Sequence, residues 1–295
     1  MEPTTASRTA EYMALYRAME SSRSKRKRLF TDPFAVRFLR PSLRRAAALS
    51  RIPGLASAVA WYADHRAPGA RTSAIARTRL IDDVVDQTLR GRVRQLVILG
   101  AGFDCRAYRL SQVRSRVIFE VDHPATLALK VARLQGILGT LPGNVHYVEI
   151  DFNRQTLAEA LRHRGFDCCE PALFVWEGVT NYLTAGAVDA VLHYVAGCAA
   201  GTRLVFTYVH RGAIDGSEMF SDAARIMSNV ANLGEAWTFG LIPEELPSFL
   251  LGRGLQLTQD LSAKEYRRAY FGKAAESMRG YDFYHVAVAI VPPKT

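Results

Sequence analysis

The 295-residue sequence predicts an α/β protein built on a doubly wound, mostly parallel sheet. Three observations carry that expectation. First, Gln95-Leu96-Val97-Ile98-Leu99 runs into Gly100-Ala101-Gly102, the pattern of a buried strand that stops at a tight glycine turn. Second, from Thr72 to Val209 short apolar runs alternate with longer segments of helical periodicity. Third, two of the runs that follow the glycine turn end in acids, Asp122 and Asp151, and the next is followed directly by Glu177. In open α/β sheets the carboxyl ends of the strands are where nucleotide-like ligands sit.

The front of the chain reads as helical. Residues 9 to 30 form a mixed apolar face with Ala10, Met13, Ala14 and Met19, and Arg17 lies on this helix. Asp32-Pro33 is an N-cap followed by proline at the first helical position, opening a helix over Phe34 to Leu39. Pro41 restarts a basic helix, and Pro53-Gly54 breaks it before a further apolar stretch, Leu55 to Tyr62. With no strand signal, residues 1–71 are expected to form a helical cap on a core over 72–295.

Thr72 to Leu89 is an amphipathic helix, with Ile75, Leu80, Ile81, Val84, Val85 and Leu89 at helical spacing. It feeds through Gly91 into the first strand. The second strand is Val117 to Asp122, with its acid 20 residues after Gly102, the spacing that suits a ribose hydroxyl. Helix Thr126 to Leu138 leads to a third strand, Val145 to Asp151. Helix Gln155 to Arg164 leads to a fourth, Pro171 to Glu177, and Ala187 to Ala199 leads to a fifth, Thr202 to Val209. The alternation then breaks. Residues 211–240 hold one helix, Ser221 to Leu233, and are expected to lie as a lid over the carboxyl edge of the sheet. Helix Pro243 to Arg253 and strands Leu255 to Leu261 and Phe283 to Val291 close the chain.

Composition bounds the partners. The formal charge is +10, and residues 1–51 carry 12 Lys/Arg against four acids, which is +8 of that excess. A basic face of this kind suits an acidic partner or nucleic acid, or is a solvated helix surface. No nucleic-acid motif or aromatic interleaving accompanies it, so nucleic acid is not expected. No apolar run reaches the ~18 residues of a membrane span, and Met1 to Lys27 lacks the apolar core of a secretory signal. Cys105, Cys168, Cys169 and Cys198 show no CxxC spacing and fit reduced thiols. The expectation is a cytoplasmic protein with no membrane partner and no metal site.

Several features separate the candidate ligands. The third glycine of GxGxxG is replaced by Cys105, which removes support for a dinucleotide pyrophosphate at the helix start. A ring of acids at Asp122, Asp151 and Glu177 repels a pyrophosphate. It suits a ligand with a sulfonium, an ammonium, ribose hydroxyls and an adenine amino group, which is S-adenosylmethionine. No GxxxxGK[ST] is present, so a P-loop triphosphatase is excluded.

The run from Ala76-Arg77-Thr78-Arg79 to Asp82, the GAGxDxRxYRL run from Gly100 to Leu110, Phe119-Glu120-Val121-Asp122, Asp151-Phe152 and Glu177 to Leu183 together resemble the leucine carboxyl methyltransferase family. The tetracenomycin-type carboxyl O-methyltransferases are similar. The resemblance runs nearly end to end. It implies a class I methyltransferase fold, Rossmann-like, with seven strands of which the last is antiparallel. It also implies S-adenosylmethionine as cofactor. Arg77 would bind the methionine carboxylate, with Arg79 as its fallback, and the Gly100-Ala101-Gly102 turn would pack on the methionine part. Asp122 and His123 would take the ribose, Asp151 and Phe152 the adenine, and Glu177 with Gly178 the region of the ammonium. Arg17 would replace a lysine used near the donor.

The acceptor is a small-molecule or peptide carboxylate on this reading, because a carboxylate is already ionised and needs no general base. A phenol or alcohol acceptor would need one. Tyr182, Tyr208 and His210 follow or end the fourth and fifth strands, where an acceptor would lie, and His210 is the base in that alternative. A non-catalytic donor-binding or RNA-binding protein is the alternative of another class.

Overall fold

The computed structural model describes residues 8–151, 155–232, 234 and 236–293. Seven strands form one sheet in the order β3-β2-β1-β4-β5-β7-β6. They are β1 (Gln95–Leu99), β2 (Val117–Asp122), β3 (Val145–Glu149), β4 (Ala172–Trp176), β5 (Arg203–Val209), β6 (Gln256–Ser262) and β7 (Tyr284–Ile290). β1 to β5 are parallel, and β7 runs antiparallel between β5 and β6. The order reverses at β1 and β4, so the crevice of the sheet opens between their carboxyl ends, beside the glycine turn. β1 and β4 are buried along their whole length, which is why they read as continuous apolar runs rather than alternating ones.

Among the described residues, twelve α-helices flank the sheet. α1 (Arg8–Ser22), α2 (Pro41–Leu49) and α3 (Leu55–Arg66) form the front. Asp32 does cap the segment after α1, its Oδ1 accepting from Phe34 and Ala35 N–H, but the turn it caps is a short 3-10 helix, Ala35–Phe38. Ala14, Met19, Phe30, Phe38, Phe103 and Leu134 join in one apolar cluster, so the front packs directly on the glycine turn. α4 (Ala70–Leu89) covers one face of β1 and β4. α5 (Arg106–Arg109), α6 (Pro124–Leu138), α7 (Leu157–Arg162) and α8 (Ala185–Ala196) connect the parallel strands.

After β5 come α9 (Arg211–Asp215) and α10 (Ala223–Asn232). Ala223, Ile226 and Val230 of α10 are buried with Trp237, Phe283 and Tyr284, on the face that α4 also covers. α11 (Leu246–Leu251) precedes β6, and α12 (Ala263–Phe271) follows it. α12 starts at a capping box: the Ser262 hydroxyl accepts from Glu265 N–H while the Glu265 side chain takes Ser262 N–H.

Candidate active site

The glycine turn is fixed from three sides. Gly100 has φ +63°, and a Cβ there would stand 2.3 Å from Val179 Cγ2 on the loop after β4, so only glycine fits. Ala101 N–H donates to Val121 O, tying the turn to β2. Gly102 N–H donates to Asp122 Oδ2 at 2.5 Å, and His123 N–H to Asp122 Oδ1 at 2.6 Å. Burial raises the Asp122 pKa against these two donors. Each Asp122 oxygen keeps a further lone pair, the acceptor set that a pair of ribose hydroxyls needs. His123 itself caps α6 through Nδ1, which accepts from Ala125 N–H.

Behind the turn lies a buried polar cluster. Lys130 of α6 and Glu120 of β2 are fully buried and pair at 2.8 Å. Lys130 Nζ also donates to Ala101 O, and Tyr108 hydroxyl donates to the second Glu120 oxygen.

In front of the turn, four arginines and four acids alternate. Arg17 Nε pairs with Asp32 at 2.9 Å, and its Nη2 donates to Phe103 O. Arg109 lies 3.8 Å from Asp32 and grips both oxygens of Asp82 at 2.6 and 2.7 Å. Arg106 joins Asp82 at 2.8 Å, Asp104, and Glu177 Oε2 at 2.8 Å. Arg77 Nε closes the row on Glu177 Oε1 at 2.8 Å, and its guanidinium lies 4.9 Å from the Tyr284 ring centre. Charges this far from water persist only when each is paired. Burial alone would raise the Glu177 pKa; Arg106 and Arg77 outweigh it and hold the carboxyl at about 2. Glu177 is therefore a permanent anion, and Arg77 with Arg17 supplies cations beside it.

The structure brings Arg17, Arg77, Gly100, Ala101, Gly102, Asp122, His123, Glu177 and Gly178 to the carboxyl ends of β1, β2 and β4. Gly178, at φ +71°, donates its N–H to Thr207 Oγ1. Asp151 follows the end of β3, beside Asp122: Ile150 N–H donates to Asp122 O. Phe152 lies outside the described residues. Arg79 is turned away, to Asp83 and to Leu29 O.

Two of the three candidate catalytic groups are committed elsewhere. Tyr208 is fully buried, and its hydroxyl donates to Asp260 Oδ2 of β6 at 2.6 Å, with the ring stacked on His285. It belongs to the far edge of the sheet because β5 side chains alternate faces and Thr207, not Tyr208, faces Gly178. His210 is the N-cap of α9: Nδ1 accepts from Gly212 N–H at 3.1 Å. The ring proton is thereby assigned to Nε2, which lies 3.3 Å from Glu218 Oε2. Both ring nitrogens of His210 are thus engaged in this structure, one with the helix it caps and one with the exposed Glu218. Tyr182 is half-buried against the cluster that contains Tyr284.

Asp82, Asp104, Arg106 and Arg109 carry the network, and the sequence reading gave them no role. Their signal was present as the D-x-R-x-x-R spacing from Asp104 to Arg109, one turn of helix that aims both arginines at α4.

A switch-point crevice, a glycine turn without a third glycine, an acid at each of the β2 and β4 ends and a buried Arg–Glu pair define an S-adenosylmethionine site of the class I methyltransferase type. The donor set fits: acceptors for the ribose and the ammonium, and cations for the carboxylate. The leucine carboxyl methyltransferase family model matches residues 10–196, and the chain belongs to that family. A Frankia alni protein provisionally named an S-adenosyl-L-methionine-dependent methyltransferase is 32% identical over 259 residues, 87% of this chain and 84% of its own length. A Mycobacterium marinum protein with the same provisional name is 35% identical over 206 residues, 68% of this chain and 65% of its own. The fold matches the crystal structure of a Thermobifida fusca protein described as a methyltransferase, with TM-score 0.60 at 19% identity over 95% of this chain and 94% of that one. It also matches a DUF574-family protein of Streptomyces avermitilis, with TM-score 0.59 at 15% identity over 95% and 97%. The protein is an S-adenosylmethionine-dependent methyltransferase.

Proposed function

We propose that the enzyme is an O-methyltransferase whose acceptor is a carboxylate on a small molecule or peptide, acting in secondary-metabolite biosynthesis in the cytoplasm. The observation that supports this reading is that two of the three candidate bases are engaged elsewhere. Among the described candidates, His210 has both ring nitrogens engaged and Tyr208 has its hydroxyl engaged. Glu177 is an anion locked between two arginines. An acceptor that arrives already ionised asks nothing of these groups.

When bound, S-adenosylmethionine supplies an electrophilic methyl on a sulfonium. The residues of this chain bind, orient and exclude water. Arg77 and Arg17 are assigned to the methionine carboxylate and Glu177 to the ammonium. The turn from Gly100 to Gly102 backs the methionine part, Asp122 with His123 holds the ribose, and Asp151 with Phe152 borders the adenine. Residues 1–71 act as cap and 211–240 as lid, and Tyr182 stands at the acceptor side of the loop after β4. Holding acceptor oxygen, methyl and sulfur in line in a dry pocket is the whole catalytic task for an ionised acceptor.

The test is turnover on matched panels of carboxylic acids and phenols, scored by formation of S-adenosylhomocysteine, with release of methanol in mild alkali marking the methyl esters. A carboxylate acceptor gives ester product and kcat/KM that is flat from about pH 6 to 9, since its own pKa lies near 4. Exclusive methylation of phenols, with a rate that rises through this range, would overturn the carboxylate assignment.

A further inference from the structure

The corner between α2 and α3 exposes apolar side chains that a folded chain ordinarily covers. Leu49 is 44% exposed, Ile52 48%, Leu55 43%, Trp61 67% and Tyr62 60%. All five fall between positions 49 and 62, whereas Val117, Met219 and Leu251, the other large exposed apolar side chains among the described residues, are scattered. Concentrated exposure of this kind marks an interaction site rather than ordinary surface.

The local geometry turns these groups outward together. Gly54, in the left-handed region at φ +86°, makes the turn, and a Cβ there would meet nothing within 4 Å, so the turn projects into open space. α3 buries no residue; only Val59, Ala60 and Ala63 lean on the front cluster. At 100° per residue, Trp61, His65, Ala58, Tyr62, Leu55 and Arg66 share an arc of about 140°. That arc faces water.

The charge on the corner has one sign. Arg44, Arg45, Arg51 and Arg66 are exposed, and the one acid between positions 41 and 66, Asp64, is already held by Arg71 at 2.6 Å. Arg45, Arg51 and Arg66 make no ion pair among the described residues. The corner is therefore complementary to an anionic partner. A second copy of this chain paired face to face would set arginine against arginine.

We infer that this corner docks on an anionic bilayer surface. Leu49, Ile52 and Leu55 on the projecting turn enter the acyl boundary, Trp61 and Tyr62 lie at headgroup depth, and the four arginines meet lipid phosphates. Protein hot spots favour Trp, Tyr and Arg but are poor in Leu, and three adjacent aliphatic groups on a projecting turn suit lipid better. The expectation of no membrane partner rested on the lack of a spanning segment. Among the described residues no helix is long and apolar enough to cross a membrane, and a surface anchor needs none. The lid shares the corner, because Arg225 of α10 donates to His65 O in the last turn of α3 at 2.8 Å.

Cosedimentation of the full chain with vesicles tests this. Vesicles of phosphatidylcholine and phosphatidylglycerol in equal parts should bind the protein, phosphatidylcholine alone should not, and raised salt should weaken binding. Arg45→Glu with Arg51→Glu should lower the partition coefficient about fivefold or more per arginine. Trp61→Ala with Tyr62→Ala should lower it about tenfold. All four side chains are exposed and none bonds to the glycine turn or to Arg77, Asp122 or Glu177 among the described residues, so melting temperature and S-adenosylhomocysteine affinity should not change. Failure of the unmodified chain to bind anionic vesicles, or binding that neither double variant alters, would overturn the inference. So would a dimer that Trp61→Ala with Tyr62→Ala converts to monomer, which would mean that a second copy covers the corner.

Discussion

The two ends of the crevice are built on opposite terms. On the donor side, Arg17, Arg77, Arg106 and Arg109 alternate with Asp32, Asp82, Asp104 and Glu177, and each charge has a partner. On the side proposed for the acceptor, Trp237 Nε1 and Asn181 Oδ1 are buried without a hydrogen-bond partner among the described residues, as is Arg109 Nε on the donor side. Asp222 and Tyr281 hold positive φ without being glycine, at 65° and 66°. An unmade hydrogen bond and left-handed backbone each cost on the order of 1–3 kcal/mol. The donor row is held by paired charges, whereas the side proposed for the acceptor combines unmade hydrogen bonds with left-handed backbone at residues other than glycine.

The largest effect should come from breaking the donor side at its centre. Glu177→Ala leaves Arg77 and Arg106 facing each other in a buried site, and removal of one partner of a buried ion pair costs about 3–5 kcal/mol. Denaturant unfolding should register that loss, and donor binding should vanish with it. If the variant keeps wild-type stability, the row of ion pairs is not the rigid frame it is taken for.

Acid should weaken the same residue by a slightly smaller amount. The Glu177 pKa is about 2 in the folded protein against an ordinary value near 4.5. The unfolded chain therefore binds the proton first, and stability rises with pH across the interval between the two values. The contribution is complete above about pH 5 and is lost as pH falls toward 2, in total on the order of 3 kcal/mol. Unfolding midpoints of wild type and Glu177→Gln should converge over that window; parallel curves would remove Glu177 from the acid response.

Asp122→Ala is milder for the fold. It frees the Gly102 and His123 N–H groups at a half-buried site, at a cost of about 1–2 kcal/mol. It should nonetheless abolish measurable S-adenosylhomocysteine binding by calorimetry. Retained affinity would sink the assignment of the second-strand acid to the ribose.

Much of this contrast was readable from residues and some was not. The glycine turn, the acid at the end of β2 and the five parallel strands were legible because buried strands and tight turns have local signatures. The turn after α1 was legible only in part: Asp32 caps as expected, but it also anchors Arg17 and lies beside Arg109, 77 positions later. Asp82, Arg106 and Arg109 look like the solvated face of a helix in sequence, since nothing local tells a buried arginine from an exposed one. Lys130 and Glu120 were hidden for the same reason within apolar runs. α12 was missed although Ser262 and Glu265 stand at capping-box spacing, a local signal that was there to be read. His210 and Tyr208 were legible by position along β5 but not by engagement, which depends on Gly212, Glu218 and Asp260.

His210 gives the smallest and sharpest test of the division between the two sides. Its Nδ1 caps a helix of five residues and its ring packs at 5.0 Å from the Phe220 centroid. His210→Gln keeps a side-chain oxygen within reach of the same N–H and removes the imidazole, so the fold should lose only about 0.5–1 kcal/mol. Loss of a general base would lower kcat about 10²–10⁴-fold. A carboxylate acceptor predicts instead that kcat and its pH profile stay within about twofold of wild type. A hundredfold fall in kcat at unchanged melting temperature would show that His210 rotates off Gly212 during turnover, and the acceptor would then be a hydroxyl that must be deprotonated.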